Sequence, residues 1–290
     1  MFRLFRNLFL LLMPTIAVQQ VFAVRPTVIY GEDDRIDYYQ AEDAHKKMAD
    51  GTVALIRASG LEIQGDWTQI KTIPYGQGMG LCTSERFYSQ ETAAFCSGFL
   101  VTPDTVVTAG HCIRGQTTCD STKFVFGFRL EGEGQLPRRV PTTNVYGCKT
   151  LVHSVAQPSG EDFAVVRLDR PVTEVPPLVL RREGKIQVGE GLRVIGHPAG
   201  LPIKIAAGAS VRSLQSQYLI ANLDTYGGNS GSAVFNSVTG QIEGILVRGE
   251  MDFAYENGCR VSNRCPEQGC RGEDVTLIER VLPYLTPRDN

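Results

Sequence analysis

Short apolar and β-branched runs, separated by Gly, Pro, Asn or Asp, follow one another along the chain from about Val53. Phe124, Phe126 and Phe128 alternate with smaller residues, which is the period of two expected for a half-buried strand. This pattern predicts an all-β fold, either a sandwich or a pair of barrels. The other predicted strand runs are 99–101, 105–108, 164–168, 192–195, 218–221, 233–235 and 245–247.

Strong helical periodicity occurs only near the C-terminus. Asp274 is a residue type that caps helices, and Val275, Ile278 and Leu282 would share one helical face. Pro283 would end the helix, because proline cannot donate a backbone hydrogen bond. The expected fold is therefore all-β with a short C-terminal α-helix.

The first residues have the layout of a secretory signal peptide. Arg3 and Arg6 precede an apolar run over 8–13, and Val-Phe-Ala at 21–23 supplies a cleavage site. We therefore expect residues 1–23 to be removed and the protein to be secreted or periplasmic.

A retained membrane anchor is the alternative for this segment. Pro14 and the Gln pair at 19–20 interrupt the apolar run, which is then shorter than the ~20 residues that span a bilayer. We expect no stable membrane insertion after cleavage. Since all eight cysteines follow the cleavage site, export makes disulfides their expected state.

Charge and composition limit the partners. The chain has 29 Lys and Arg against 31 Asp and Glu, a net charge of −2, so it lacks the basic field that attracts nucleic acid or anionic membranes. A hydrophobic content of 42% excludes intrinsic disorder. The length suits one large β domain or two ordinary ones, and the strand pattern is assigned to one domain at 51–290. The more polar stretch before it, 24–50, is interpreted as an N-terminal arm or short propeptide.

Three segments carry the residue types needed for nucleophilic hydrolysis. They contain His111, Asp162 and Ser230 and read TAGHC, EDFAVVRL and GGNSGS. A serine nucleophile needs an imidazole to accept its proton, and a carboxylate orients that imidazole. The chain order His, Asp, Ser is one that such triads use.

Each segment alone is a weak signal. A single His or Asp is more often a surface, buried or capping residue, and the GxSxG nucleophile elbow fails because Ser232 follows Gly231. Backbone N–H groups must also face the developing oxyanion, and a Gly-Gly-Asn-Ser turn suits that need. The three segments together indicate an acyl hydrolase.

With these residues the sequence resembles the chymotrypsin-like serine peptidases, in particular their bacterial V8-like, or glutamyl endopeptidase, branch. The resemblance covers about 95–250. It implies a double β-barrel and an exported, monomeric serine endopeptidase that acts on protein or peptide substrates without cofactor or metal. It assigns His111 as general base, Asp162 as its orienting carboxylate and Ser230 as nucleophile. The backbone N–H groups of Gly228 and Ser230 would form the oxyanion hole.

Asn229 separates the chain from the trypsin branch, in which an Asp before the nucleophile pairs with a newly cut N-terminal ammonium. Asn cannot form that ion pair, so this activation switch is not expected. Val-Ile-Tyr at 28–30, followed by Asp-Asp-Arg at 33–35, resembles the mature start of the V8-like branch, which would leave 24–27 as a propeptide remnant.

The predicted specificity pocket contains Asp224, Thr225, Leu246, Arg248 and Gly249. Asp224 lies six residues before the nucleophile, where trypsin-like enzymes place the acid that binds Lys or Arg at P1, the residue on the acyl side of the scissile bond. Some V8-like enzymes with acidic preference also have an acid there, but Leu246 replaces the His on which glutamyl specificity depends. Arg248 would bind an acidic side chain, pair with Asp224 or face solvent. A basic P1 residue is favoured and an acidic one stays open.

The resemblance also implies a Cys96–Cys112 disulfide beside the general base. The other six cysteines allow fifteen pairings, and only proximity in sequence suggests Cys119–Cys148. Three of the six lie in a Cys-rich insert over 256–272, whose spacings and lack of histidine are poor for zinc. Export favours disulfides there as well, and no metal site is expected.

Two other functions are alternatives to the peptidase. A non-catalytic binding module on the same fold usually lacks a triad member, whereas all three are present here. An exported esterase would use the same triad chemistry, but the chain lacks the GxSxG elbow and the βα alternation of such enzymes.

Overall fold

Antiparallel strands form two closed barrels in the computed structural model, which describes residues 29–285. The all-β double-barrel fold predicted from the sequence is confirmed. The predicted signal peptide, 1–23, the suggested remnant, 24–27, and Val28 lie outside the described residues.

The N-terminal barrel consists of six strands rich in β-branched and aromatic residues, which favour the pleated conformation. Phe99, Val107 and Phe124 are fully buried in it. In order around the barrel, with the last strand pairing with the first, its strands are Thr122–Phe126, Val145–Ala156, Asp162–Leu168, Thr105–Thr108, Cys96–Thr102 and Thr52–Arg57.

The C-terminal barrel closes in the same way, because its first strand pairs with both the second and the last. Leu192, Leu219 and Val234 pack in its interior. In order around the barrel, its strands are Gly191–Gly196, Ala233–Asn236, Ile242–Arg248, Glu273–Leu277, Tyr218–Ala221 and Lys204–Leu214.

Smaller elements surround the barrels. The remaining strands are Ile29–Tyr30, Ile36–Asp37, Leu61–Gln64, Trp67–Ile70, Ile73–Pro74, Glu91–Thr92, Arg139–Pro141, Phe253–Glu256, Cys259–Ser262 and Arg264–Cys265. The α-helices are Asp43–Asp50, Tyr75–Met79 and Gln116–Asp120, and the 3-10 helices are Tyr38–Gln40, Ala58–Gly60, Thr142–Asn144, Pro198–Gly200, Ile278–Arg280 and Leu282–Tyr284. None of the helices between residues 29 and 285 has the length and apolar character needed to cross a membrane.

One hydrophobic core continues from barrel to barrel. Phe99 and Phe163 of the N-terminal barrel belong to the same buried cluster as Phe235 and Ile245 of the C-terminal barrel. Because close-packed side chains resist displacement, the two barrels hold each other in a fixed relative position. A site that takes residues from both barrels is thereby kept in register.

The predicted C-terminal α-helix is wrong, because no α-helix forms over residues 273–285. Glu273–Leu277 is a strand, paired on one side with Ile242–Arg248 and on the other with Tyr218–Ala221. Val275 is fully buried inside the barrel. Backbone hydrogen bonds to the two neighbouring strands outweigh the weak helical preference of this segment. Only after this strand does the chain turn helical, in the two 3-10 turns.

The described part of the predicted arm is built into the fold. Ile29–Tyr30 pairs in parallel with Arg264–Cys265, and Ile36–Asp37 extends the sheet of the C-terminal barrel. In that pairing the Asp37 carboxylate lies 2.7 Å from the buried Lys204 ammonium. Residues 29–37 therefore pack as part of the C-terminal barrel.

All eight cysteines form disulfides. The Cys96–Cys112 bridge implied by the resemblance is present, and so is the Cys119–Cys148 bridge suggested by proximity. The three cysteines of the insert cannot bind a shared zinc ion as thiolates, because each of their sulfurs is bonded to another sulfur. The remaining pairs are Cys82–Cys259 and Cys265–Cys270.

Candidate active site

His111 and Asp162 are brought together by two adjacent strands. Thr105–Thr108 leads into the loop of His111, and its neighbour, Asp162–Leu168, begins with Asp162. Asp162 Oδ2 lies 2.7 Å from His111 Nδ1, and Oδ1 accepts the His111 backbone N–H at 3.0 Å. This carboxylate is buried, so it holds the imidazole in one orientation and leaves Nε2 as the nitrogen that can accept a proton.

Ser230 approaches this pair from the C-terminal barrel. Its backbone carbonyl accepts the Ser97 N–H at 2.8 Å and lies 3.7 Å from Cys112 Sγ. Cys112 directly follows His111 and is bonded to Cys96. The disulfide thus packs against the segments of both His111 and Ser230.

Two backbone N–H groups in the turn of Ser230 have no acceptor in the described part of the chain. Among the described residues, none accepts a hydrogen bond from the N–H of Gly228 or Ser230, whereas those of Gly227 and Asn229 have acceptors. Gly228 has a φ of +97°, and a Cβ there would lie 2.7 Å from His197 O, so a side chain does not fit. This geometry leaves two nearby donors for an oxyanion.

A cavity of about 350 Å³ opens beside Ser230. Of the five predicted pocket residues, Thr225, Leu246, Arg248 and Gly249 line it. The fifth, Asp224, does not.

Asp224 instead anchors the N-terminal segment. Its carboxylate accepts the backbone N–H of Tyr30 at 2.8 Å and that of Asp34 at 3.0 Å. The side chain is buried, and burial raises its pKa to about 7. The interpretation of Asp224 as the acid at the pocket base therefore needs correction. The offset from the nucleophile located the residue along the chain, but the N–H groups of a distant segment determine where the carboxylate points.

Three other acids, Glu250, Asp252 and Glu273, line the cavity, and none of them was predicted from the sequence. Two of the three are held by hydrogen bonds within the protein. Glu273 is 1% exposed and accepts hydrogen bonds from Tyr30 Oη at 3.3 Å and Thr225 Oγ1 at 3.1 Å. Asp252 accepts the Gly227 N–H at 2.9 Å. Burial is the main cause that raises the pKa of Glu273 well above its usual value and that of Asp252 to about 6. Both carboxyls thus lie where no cation compensates a negative charge fully.

The close approach of Glu273 explains a glycine of the predicted pocket. A Cβ at Gly249 would overlap the Glu273 carboxylate. Glu273 directly precedes Asp274, the expected cap of the predicted helix, and an acid is ordinary at such a position, so no local signal marked it. The strand pairing that replaced the helix brings Glu273 to the cavity.

Two of the three alternatives considered for Arg248, pairing with Asp224 and facing solvent, are wrong. Its Nε donates to Asp274 at 3.0 Å, Nη1 to the Gln157 carbonyl at 3.1 Å and Nη2 to the Gly160 carbonyl at 3.0 Å. The side chain is 21% exposed. It neither pairs with Asp224 nor faces solvent, and each guanidinium nitrogen already has an acceptor within the protein.

Replacing Asp224 by Ala is expected to lower the free energy of unfolding by about 2 kcal/mol, because the N–H groups of Tyr30 and Asp34 lose their acceptor. Urea denaturation measures the effect, with the exposed Asp66→Ala as matched control. The preference among P1 residues should not change. Loss of a basic preference without loss of stability would show that Asp224 binds substrate.

Asp224 also gives stability a pH dependence of defined sign. Its pKa is raised from 3.8 to about 7 on folding. The folded protein therefore holds the proton where the unfolded chain has lost it, and the free energy of unfolding should decrease as pH rises from about 4 to about 7. Denaturation curves across this range should show a shallower slope for Asp224→Asn, which cannot ionise. An equal slope in both proteins would contradict the assignment.

The donor atoms near His111 do not suit a metal ion. Within residues 29–285, the group with ligand atoms close enough to share an ion is Cys96, His111 and Cys112. A thiolate is the form of cysteine that binds metals, but both sulfurs are held in a disulfide. The Nδ1 atom of His111 faces Asp162.

Comparison with known proteins gave two matches. A family model described as the trypsin-like peptidase domain matches residues 96–245, a range that includes His111, Asp162 and Ser230. A curated protein of Bacillus subtilis (strain 168), named extracellular metalloprotease, is 29% identical over 174 residues. That alignment covers 58% of this chain and 55% of the relative, so the chain matches about half of the relative's length.

Proposed function

Because the chain belongs to the trypsin-like peptidase domain family, we propose that it is a serine endopeptidase that cleaves protein or peptide substrates through Ser230, His111 and Asp162. The observation that carries this proposal is the buried Asp162 carboxylate on His111 Nδ1. The Ser230 carbonyl lies 3.7 Å from the neighbouring Cys112 Sγ, and two N–H groups in the turn of Ser230 have no acceptor within residues 29–285. These are the base, its orienter, the nucleophile and the oxyanion donors that acyl transfer needs.

The reaction then follows from the roles of these groups. His111 Nε2 takes the proton of the Ser230 hydroxyl as its oxygen attacks the scissile carbonyl. Asp162 stabilises the imidazolium, and the N–H groups of Gly228 and Ser230 hold the oxyanion. His111 passes the proton to the leaving amine, which gives an acyl-enzyme. Water, activated by the same imidazole, hydrolyses this ester and restores Ser230.

The proposal includes export. Four disulfides are typical of proteins in an oxidising compartment. The N-terminal sequence has the signal-peptide layout, and the relative's name contains the word extracellular. We place the mature protein outside the cytoplasm, either secreted or periplasmic.

Within the family, we propose the bacterial V8-like branch. Asn229 is buried, and its side-chain oxygen accepts the Ser232 hydroxyl at 3.3 Å. A neutral amide at this position offers no ion pair to a new N-terminal ammonium. Activation through that ion pair is therefore not part of the proposal.

The name of the relative raises a second mechanism, metal-assisted hydrolysis. In the present chain the donor atoms around His111 are engaged in a disulfide and in the contact with Asp162. These residues do not fit a metal ion, so we derive no step through one.

For the P1 residue we propose a basic side chain. Glu273 and Asp252 line the cavity beside Ser230, and burial raises the pKa of both carboxyls. A Lys or Arg side chain would supply the missing cation and favour their ionised forms. An acidic P1 side chain would meet these two acids, and all three guanidinium nitrogens of Arg248 already donate to acceptors within the protein.

Labelling with a fluorophosphonate probe tests the proposed activity. The probe should label the mature protein and fail to label Ser230→Ala. A P1 peptide library should then show cleavage after Lys and Arg. A folded wild-type protein that binds peptides but is neither labelled nor cleaves them would instead be the binding module.

A further inference from the structure

Arg248 links the two barrels at the predicted active site. It is the last residue of Ile242–Arg248 in the C-terminal barrel. Its guanidinium donates to the carbonyls of Gln157 and Gly160, in the loop of the N-terminal barrel that leads into Asp162. The position of that loop, and hence of Asp162, therefore depends on a side chain from the other barrel.

The same guanidinium acts on the carboxylate directly. Arg248 Nη1 lies 3.9 Å from Asp162 Oδ2, the oxygen that contacts His111 Nδ1 at 2.7 Å. A positive charge there offsets part of the negative charge with which Asp162 would stabilise an imidazolium.

The other charged groups near this arrangement are paired. Asp274 accepts from Arg248 Nε and, on its other oxygen, from Arg271 at 2.6 Å. Glu161, which precedes Asp162, pairs with Arg280. The Tyr218 ring lies 5.5 Å from the Arg248 guanidinium carbon. Among the described residues, Arg248 is the Arg or Lys side chain that forms an ion pair with Asp162.

We propose that Arg248 is a positioning residue: it holds the loop before Asp162 and sets the pH at which His111 begins to act as a base. The inference rests on the proposed peptidase function. The planar guanidinium makes three hydrogen bonds in different directions, which a Lys ammonium on a flexible stem cannot reproduce. The positive charge and the forked set of guanidinium donors (the fork) can therefore be tested separately.

The test uses two variants of the full-length chain. Arg248→Gln removes the charge and keeps an amide donor, whereas Arg248→Lys keeps the charge and loses the fork. The readout is kcat/KM for one peptide substrate from about pH 5 to 9. The acid limb is the rise of kcat/KM on the low-pH side of the profile, where His111 loses its proton. In the Gln variant it should move to higher pH by about half a unit, because Asp162 then stabilises the imidazolium more strongly. Both variants should lower the plateau about tenfold, since small displacements of catalytic groups are costly.

A matched control is Arg271→Gln, which removes a charge from the same Asp274 without touching Asp162. It should leave the acid limb unmoved. A Gln variant with the acid limb and plateau of the wild type would overturn the inference. An Arg248→Lys variant whose acid limb moves, or whose plateau is unchanged, would also overturn the inference. If the Gln variant does not fold, the Lys variant alone provides the test.

Failure of the proposed function would give a different result from failure of this inference. It would be an absence of turnover by the wild-type chain at every pH. The inference can then still be judged by following the ring protons of His111 by NMR across the same pH range. Equal titration midpoints in wild type and a folded Arg248 variant without the charge would overturn it.

Discussion

Ser230→Ala is expected to lower kcat/KM for a cleaved peptide by about 10⁴- to 10⁶-fold, the largest effect of any single substitution in this chain. The change removes the attacking oxygen and leaves the oxyanion donors and the cavity in place, so a small residual rate over water should remain. His111→Ala should have a comparable effect. The double variant should lose little more than either single variant, because the two residues act as one unit.

Kinetics with one peptide substrate, together with the melting temperature of each variant, check this result. Ser237→Ala is the matched control, because it makes the same change at an exposed serine of the same barrel. It should behave as the wild type. An active Ser230→Ala protein would eliminate the serine mechanism, and equal losses in both serine variants would point to a preparation fault or unfolding.

Glu273→Gln is expected to lower kcat/KM for Lys and Arg at P1 by about 10²- to 10³-fold, with little change for a neutral P1 residue of similar size. The substitution keeps the volume of the side chain and the contacts to Tyr30 and Thr225 can persist, but the partner charge for a buried ammonium is lost. An unpaired buried charge is costly, so the loss should concentrate on basic substrates.

The ratio of kcat/KM values for Lys and Leu at P1 measures this effect, because a general loss of folding cancels in the ratio. Glu279→Gln, the same change at an exposed position outside the cavity, is the matched control. An unchanged ratio in Glu273→Gln would exclude Glu273 as the determinant of basic specificity. A ratio that already favours neutral or acidic residues in the wild type would exclude the basic pocket itself.

The sequence by itself was sufficient for features that depend on short stretches of chain. Alternation of large and small residues, as at Phe124, Phe126 and Phe128, predicts strands because side chains on a pleated strand point to opposite faces. His111, Asp162 and Ser230 could be proposed as a triad because each lies in its own recognisable segment. Likewise, four of the five pocket residues lie near the nucleophile or on the strand expected beside it.

Contacts between distant segments were decided only by the tertiary structure. Asp224 points to Tyr30 and Asp34, almost two hundred residues away in sequence, instead of into the cavity. The Cys82–Cys259 disulfide spans 177 residues and has no local signal.

The segment after Gly272 shows the physical reason most directly. Its periodicity suits a helix, yet it lies between two strands and pairs with both of them. Without this segment, the backbone groups on the facing edges of those strands would have no partner. Pairing those groups outweighs a weak local preference. The resulting strand brings Glu273 to the cavity and Asp274 to Arg248. Glu273, the acid proposed to bind a basic P1 side chain, therefore reaches the cavity only through the strand pairing of the folded barrel.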